Sequence, residues 1–170
     1  DMTVKVEKLP KLGETIFGNE FYESCGGKGA NQAVAVAKLG MKTEMIGMVG
    51  KDSQGEKLIQ NLVDNGVKAD NVIKSNELTG RAIITVDKNG DNNIIVIAGS
   101  NFKITEKDIL NKIDAIAESD IIILQNEIPL SVVEFCLLKA KELGKITVFN
   151  PAPATTLNDR IFHNTDYLIL

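Results

Sequence analysis

Between Ser24 and Gly40 the chain reads SCGGKGANQAVAVAKLG. Gly26, Gly27 and Gly29 strip the side chains from a short loop, Lys28 adds a positive charge, and Asn31 adds an amide that donates and accepts. The small apolar residues that follow predict a helix, which puts the loop at a helix N-terminus. Free N–H groups and the helix dipole there favour electron-rich ligand atoms. Gly27, Lys28, Gly29, Ala30 and Asn31 are therefore candidate binding residues, and a polyhydroxylated ligand suits them because its hydroxyls need donors and acceptors at close range. The same glycines also read as a tight turn that lets a strand pack on a helix.

Two phosphate-binding patterns fail here. A P-loop requires a hydroxyl residue after its lysine, and Lys28 is followed by Gly29. The dinucleotide pattern GxGxxG, started at Gly27, meets Gln32 where its third glycine belongs. That disfavours a nucleotide-binding dehydrogenase domain.

Further chemistry is expected where apolar strands end, because ligands of open α/β sheets bind beyond the carboxyl ends of parallel strands. IIILQNE delivers Glu127 just past one such run, and ITVFNPAPA delivers Asn150 past the next, with Pro151 and Pro153 stiffening the exit. Each also has a plainer reading, Glu127 as a helix-capping or loop acid and Asn150 as a turn residue.

The elements that position these residues follow from hydrophobic period. Ala30 to Leu39 predicts a helix stopped by Gly40, and Thr43 to Gly50 a buried strand. Asp52 or Ser53 caps a helix running to Asn65, with Leu58, Ile59, Leu62 and Val63 on one side. Residues 79–98 predict a hairpin, and Thr105 opens a helix carrying Ile109, Leu110, Ile113 and Ile116. Strands at 120–124, 146–149 and 167–170 flank a helix over 132–143. Strands without alternation, separated by helices, predict an α/β doubly wound, mostly parallel sheet. The segment ETIFGNEFYES and the hairpin fall outside that rhythm and predict a small antiparallel β appendage.

With 170 residues, the chain has room for one substantial core. A net charge of -4 and no tryptophan leave no basic face for nucleic acid. Neither a long apolar span nor an export signal is present, so no membrane partner and a cytoplasmic location are expected. Cys25 and Cys136 show no metal or disulfide spacing, Cys136 sits in a core pattern, and His163 reads as a surface or capping histidine.

GGKGANQAVAVAKLG closely resembles the first signature of the ribokinase family of carbohydrate kinases, also called the PfkB family. LPKLGET, VGKDSQGE, TGRAIITVDKNGDNNIIVIAGSN, LQNEIP and NPAPA are similar to further family segments in the same order. The resemblance implies a ribokinase-like fold of which residues 1–170 are the N-terminal portion, with a β lid inserted from about 9–25 and 79–98. It implies ATP-dependent phosphorylation of ribose at its 5-hydroxyl, with magnesium and potassium, by a homodimer joined through the lid. By the same likeness Asp1 would bind sugar hydroxyls, Gly27 to Asn31 would form the sugar loop, Glu127 would contact the sugar, and Asn150 would shape the floor.

The family's Gly-Ala-Gly-Asp run, which supplies the catalytic base and an anion hole, is absent from this sequence, as is its NxxE element. The expectation is a sugar kinase whose catalytic aspartate lies downstream of Leu170, the 170 residues alone being inactive and lacking metal ligands. The strand asparagine expected just before Asp1 is missing too. Alternatives are a fructokinase or nucleoside kinase of the same family, and a non-catalytic sugar-binding or dimerisation module.

Overall fold

The computed structural model describes residues 1–170. In chain order, strands β1 (Met2–Val6) and β2 (Gly18–Glu23) precede helix α1 (Lys28–Lys38). Then come β3 (Thr43–Glu44), β4 (Gly47–Gly50), α2 (Ser53–Asp64), β5 (Val67–Lys68), β6 (Val72–Ser75), β7 (Arg81–Val86) and β8 (Asn92–Ile97). A 3-10 turn at Gly99–Lys103 leads to α3 (Glu106–Leu110), α4 (Ile113–Glu118), β9 (Ile121–Gln125), α5 (Leu130–Glu142), β10 (Ile146–Asn150), α6 (Asp159–His163) and β11 (Tyr167–Leu168).

This is the mixed α/β architecture expected. β9, β10 and β11 form a parallel sheet, and β3–β5 and β4–β6 are parallel pairs. The appendage is a four-stranded sheet in the order β2-β1-β7-β8. Its outer pairings are antiparallel and its central β1–β7 pairing is parallel. The strand Met2–Val6, unanticipated from sequence, is what joins the two anticipated parts.

The core is divided by α5. Val132, Cys136 and Ala140, at four-residue spacing, face a cluster with Met48, Ile104, Ile109 and Ile116. Val133 and Leu137, one position on, face a second cluster with Phe149 and Ile161. One helix thereby anchors the β9 and β10 strands from which Glu127 and Asn150 emerge. Cys136 is buried, and loss of hydration pushes its thiol up to about 12. His163 ends α6 on the surface, its Nδ1 2.6 Å from the Asp159 carbonyl.

Three elements differ from expectation. The run Thr43–Gly50 is two strands because it serves two partners, β5 and β6, which the sequence reading also missed. The helix opened by Thr105 breaks at Asn111–Lys112, where Lys112 bonds back three residues to Ile109 rather than four. Helix α1 starts two residues earlier than predicted, and only Ala33 along it is fully buried. Its small residues pack beside Leu62 and Val67 on one side only.

Candidate sugar site

The mouth of α1 lacks the usual caps. Its N-cap residue, Gly27, has φ 95, a backbone region open to glycine, and no side chain to offer; the first turn holds no acidic residue. Glu127 supplies the cap from another part of the chain: the Lys28 N–H donates to its Oε2 at 2.7 Å, across 99 positions of sequence. Asn31 N–H makes the first bond back, to the Gly27 carbonyl at 2.9 Å. The N–H groups of Gly29 and Ala30 have no acceptor within the chain. Two directed donors therefore lie beside a carboxylate.

Glu127 reaches this point because the tip of β9 is braced on both sides. β9 ends at Gln125, and the chain bends through Asn126 and Glu127, so the three polar side chains of QNE find different partners. Asn126 is buried; its backbone N–H donates to the Ala152 carbonyl at 3.1 Å and its side-chain amide to the Pro153 carbonyl at 2.7 Å. Gln125 Nε2 donates to Gln32 Oε1 on α1 at 2.5 Å. None of Gln32, Gln125 and Asn126 was picked out from sequence. The cue available was the polar triplet QNE directly after four apolar residues.

Asp1 lies against the same loop. Its backbone nitrogen donates to the Ser24 carbonyl at 2.8 Å, and a Cβ built at Gly26 would stand 2.4 Å from its Oδ2. The glycine at 26 is what lets that carboxylate approach. Ala30 packs into the Ala33, Leu62 and Val67 cluster, and Asn31 is exposed. Asn150 closes β10 in register with Gln125, but its side-chain amide donates to the Ile169 carbonyl at 2.9 Å.

The hairpin β7–β8 is rooted in the body by Asp52. This N-cap of α2 accepts from Gly55 N–H at 2.8 Å and from Thr79 through both hydroxyl, 2.6 Å, and backbone N–H, 2.9 Å. The Thr79 bonds, with help from Gly55 and Arg81, lower its carboxyl from 3.8 to about 2. Four glycines make the knot possible: a Cβ at Gly50, Gly55, Gly80 or Gly99 would meet backbone oxygen at 2.3 to 2.8 Å.

A cleft of about 190 Å³ opens at this root, lined among others by Asp1, Cys25, Lys57 and Arg81. Of the residues predicted to bind a ligand it contains only Asp1. The α1 mouth, with its two unpartnered N–H groups beside the Glu127 carboxylate, lies outside the lining of this cleft. No three His, Cys, Asp or Glu side chains are grouped to hold a metal ion, and no helix is long and apolar enough to cross a membrane.

The chain matches the pfkB family of carbohydrate kinases over residues 1–169. It is 40% identical to a ribokinase of Lactococcus lactis over 99% of its own length and 56% of the relative's, and 37% identical to a ribokinase of Bacillus subtilis over 99% and 57%. In structure it is similar to the ribokinase of Thermotoga maritima, with TM-score 0.89 and 40% identity over 98% of this chain and 54% of that one. The Arabidopsis thaliana ribokinase complexed with ribose and ATP superposes with TM-score 0.87 at 31% identity, over 98% and 55%. The chain thus spans about half the length of the curated relatives it matches.

Proposed function

Because this chain belongs to the pfkB family of carbohydrate kinases, we propose that it carries the sugar side of an ATP-dependent kinase that phosphorylates ribose at its 5-hydroxyl. The carrying observation is the contact between the α1 mouth and Glu127. In this reading the Gly29 and Ala30 N–H groups donate to sugar oxygens, while Glu127 Oε1 and the Asp1 carboxylate accept from sugar hydroxyls. Lys28 and Asn31 border the sugar, Gly27 admits it by lacking a side chain, and Asn150 stiffens the floor through its bond to Ile169.

The strand-end carboxylates bind and orient; neither is assigned as the base. Proton removal falls to an aspartate of the whole protein, because the 170 residues contain no Gly-Ala-Gly-Asp run, and these residues alone are inactive. ATP, magnesium and potassium serve the whole protein in this reading.

The sheet β2-β1-β7-β8 is assigned as a lid that also joins two copies in the cytoplasm. Edge strand β8 exposes Ile94 and Val96 on one face and Ile95 and Ile97 on the other. Apolar residues on both faces of an unpaired edge call for cover on both sides, one from the sugar-bound body and one from a second copy.

Titration calorimetry with ribose, fructose and adenosine, followed by a coupled ATP assay of the whole protein, tests the reading. Ribose is expected to bind and to be phosphorylated in preference to the other two. Preference for fructose or adenosine would reassign the substrate, and sugar binding without turnover in the whole protein would favour a non-catalytic module.

A further inference from the structure

Helix α1 is joined to the tip of β9 twice. One joint is the Lys28 N–H on Glu127 Oε2, whose carboxylate also offers Oε1 to a bound sugar. The other is the Gln125–Gln32 bond, which involves no group assigned to the sugar. Both glutamines are half-buried, and Gln125 is wedged under the first turn: its Oε1 would stand 2.8 Å from a Cβ at Gly29, with Met45 Cε at 3.3 Å.

The consequence lies in what remains when the first joint is loaded. A sugar hydroxyl on Oε1 pulls on the carboxylate that caps α1, and the glutamine pair is the side-chain bond between α1 and β9 that this pull does not reach. We infer that Gln32 and Gln125 are a positioning pair for the sugar loop, holding the α1 mouth on the β9 tip while Glu127 serves the substrate. The inference rests on the sugar-site reading above and adds to it two residues that touch no sugar.

The test uses the whole protein carrying this chain, with ribose and ATP. Gln32→Met and Gln125→Met keep side-chain length and remove the bond. Each is expected to raise the KM for ribose about five- to tenfold, the worth of one partly buried hydrogen bond, with kcat nearly unchanged. Because the residues act as a unit, the double variant is expected to be no worse than the poorer single one. Gln32→Glu keeps an acceptor for Gln125 Nε2 and is expected to retain the wild-type KM, a rescue that general loss of packing would not produce. An unchanged KM in either methionine variant, additive losses, or failure of Gln32→Glu overturns the inference.

Hydrogen exchange separates this inference from the sugar assignment. The amides of Asn31 to Ala33 are expected to exchange faster in both methionine variants while those of α5 do not change. If wild type fails to use ribose but this pattern appears, the sugar reading falls and the pair stands as the element that holds the loop. Unchanged exchange in the α1 first turn removes the pair as well.

Discussion

Glu127 caps a helix that begins 99 residues before it: its Oε2 accepts the Lys28 N–H at 2.7 Å. A capping role and a ligand role are therefore compatible in one carboxylate, because the second oxygen remains free. Substitutions at 127 should separate them. Glu127→Gln retains an oxygen for Lys28 and should cost under about 0.5 kcal/mol of stability, whereas Glu127→Ala should cost about 1 kcal/mol, the usual worth of a cap. Both should weaken ribose binding at least about tenfold, since a neutral amide accepts less strongly than a carboxylate. Urea unfolding and calorimetry on the two variants check this.

Gly55 sits inside α2, where alanine ordinarily stabilises by up to about 1 kcal/mol. Here the added Cβ would stand 2.3 Å from the Gly50 carbonyl oxygen, a backbone atom pinned by the knot around Thr79. Gly55→Ala is expected to destabilise by about 2 kcal/mol or more, the cost of forced overpacking. Urea melts read the sign directly.

Asp52 predicts a specific acid response. Its folded carboxyl titrates near 2 against an ordinary 3.8, so the charged form is the one the fold favours. The stability it contributes is complete above about pH 4 and is lost as pH falls from 3.8 towards 2. Asp166, bonded to Lys141 and Thr147, titrates in the same window and keeps part of the slope. Asp52→Asn should lower the melting temperature at pH 7 and flatten, without abolishing, its fall between pH 4 and pH 2.

The two cysteines should react at different rates. Cys25 is exposed at the lid root, while Cys136 is buried with its thiol pushed up to about 12. One thiol per chain should react with a disulfide reagent under native conditions and two after unfolding. Cys25→Ser should abolish the native reaction.

Much of the fold and part of the candidate site could be read from sequence, for physical reasons that differ by element. The α1 mouth was legible because glycines before an apolar helix have few explanations, and Glu127 because strand ends in parallel sheets are where ligands sit. The short strands Val67–Lys68 and Val72–Ser75 were missed because four residues or fewer carry almost no period. The Met2–Val6 strand was missed because MTVKV owes its place to partners at 18–23 and 81–86, a non-local fact. Gln32 and Gln125 look like unremarkable polar residues until their elements meet, and no local pattern announces a pair 93 positions apart.

The central claim is that a sugar binds at the α1 mouth against Glu127. Backbone amide shifts recorded during ribose titration test it residue by residue. Binding as described should move the Lys28, Gly29 and Ala30 resonances, together with Glu127, by more than those of Lys57 and Arg81 at the lid-root cleft. Shifts confined to that cleft, with the α1 mouth silent at saturating ribose, would contradict the account.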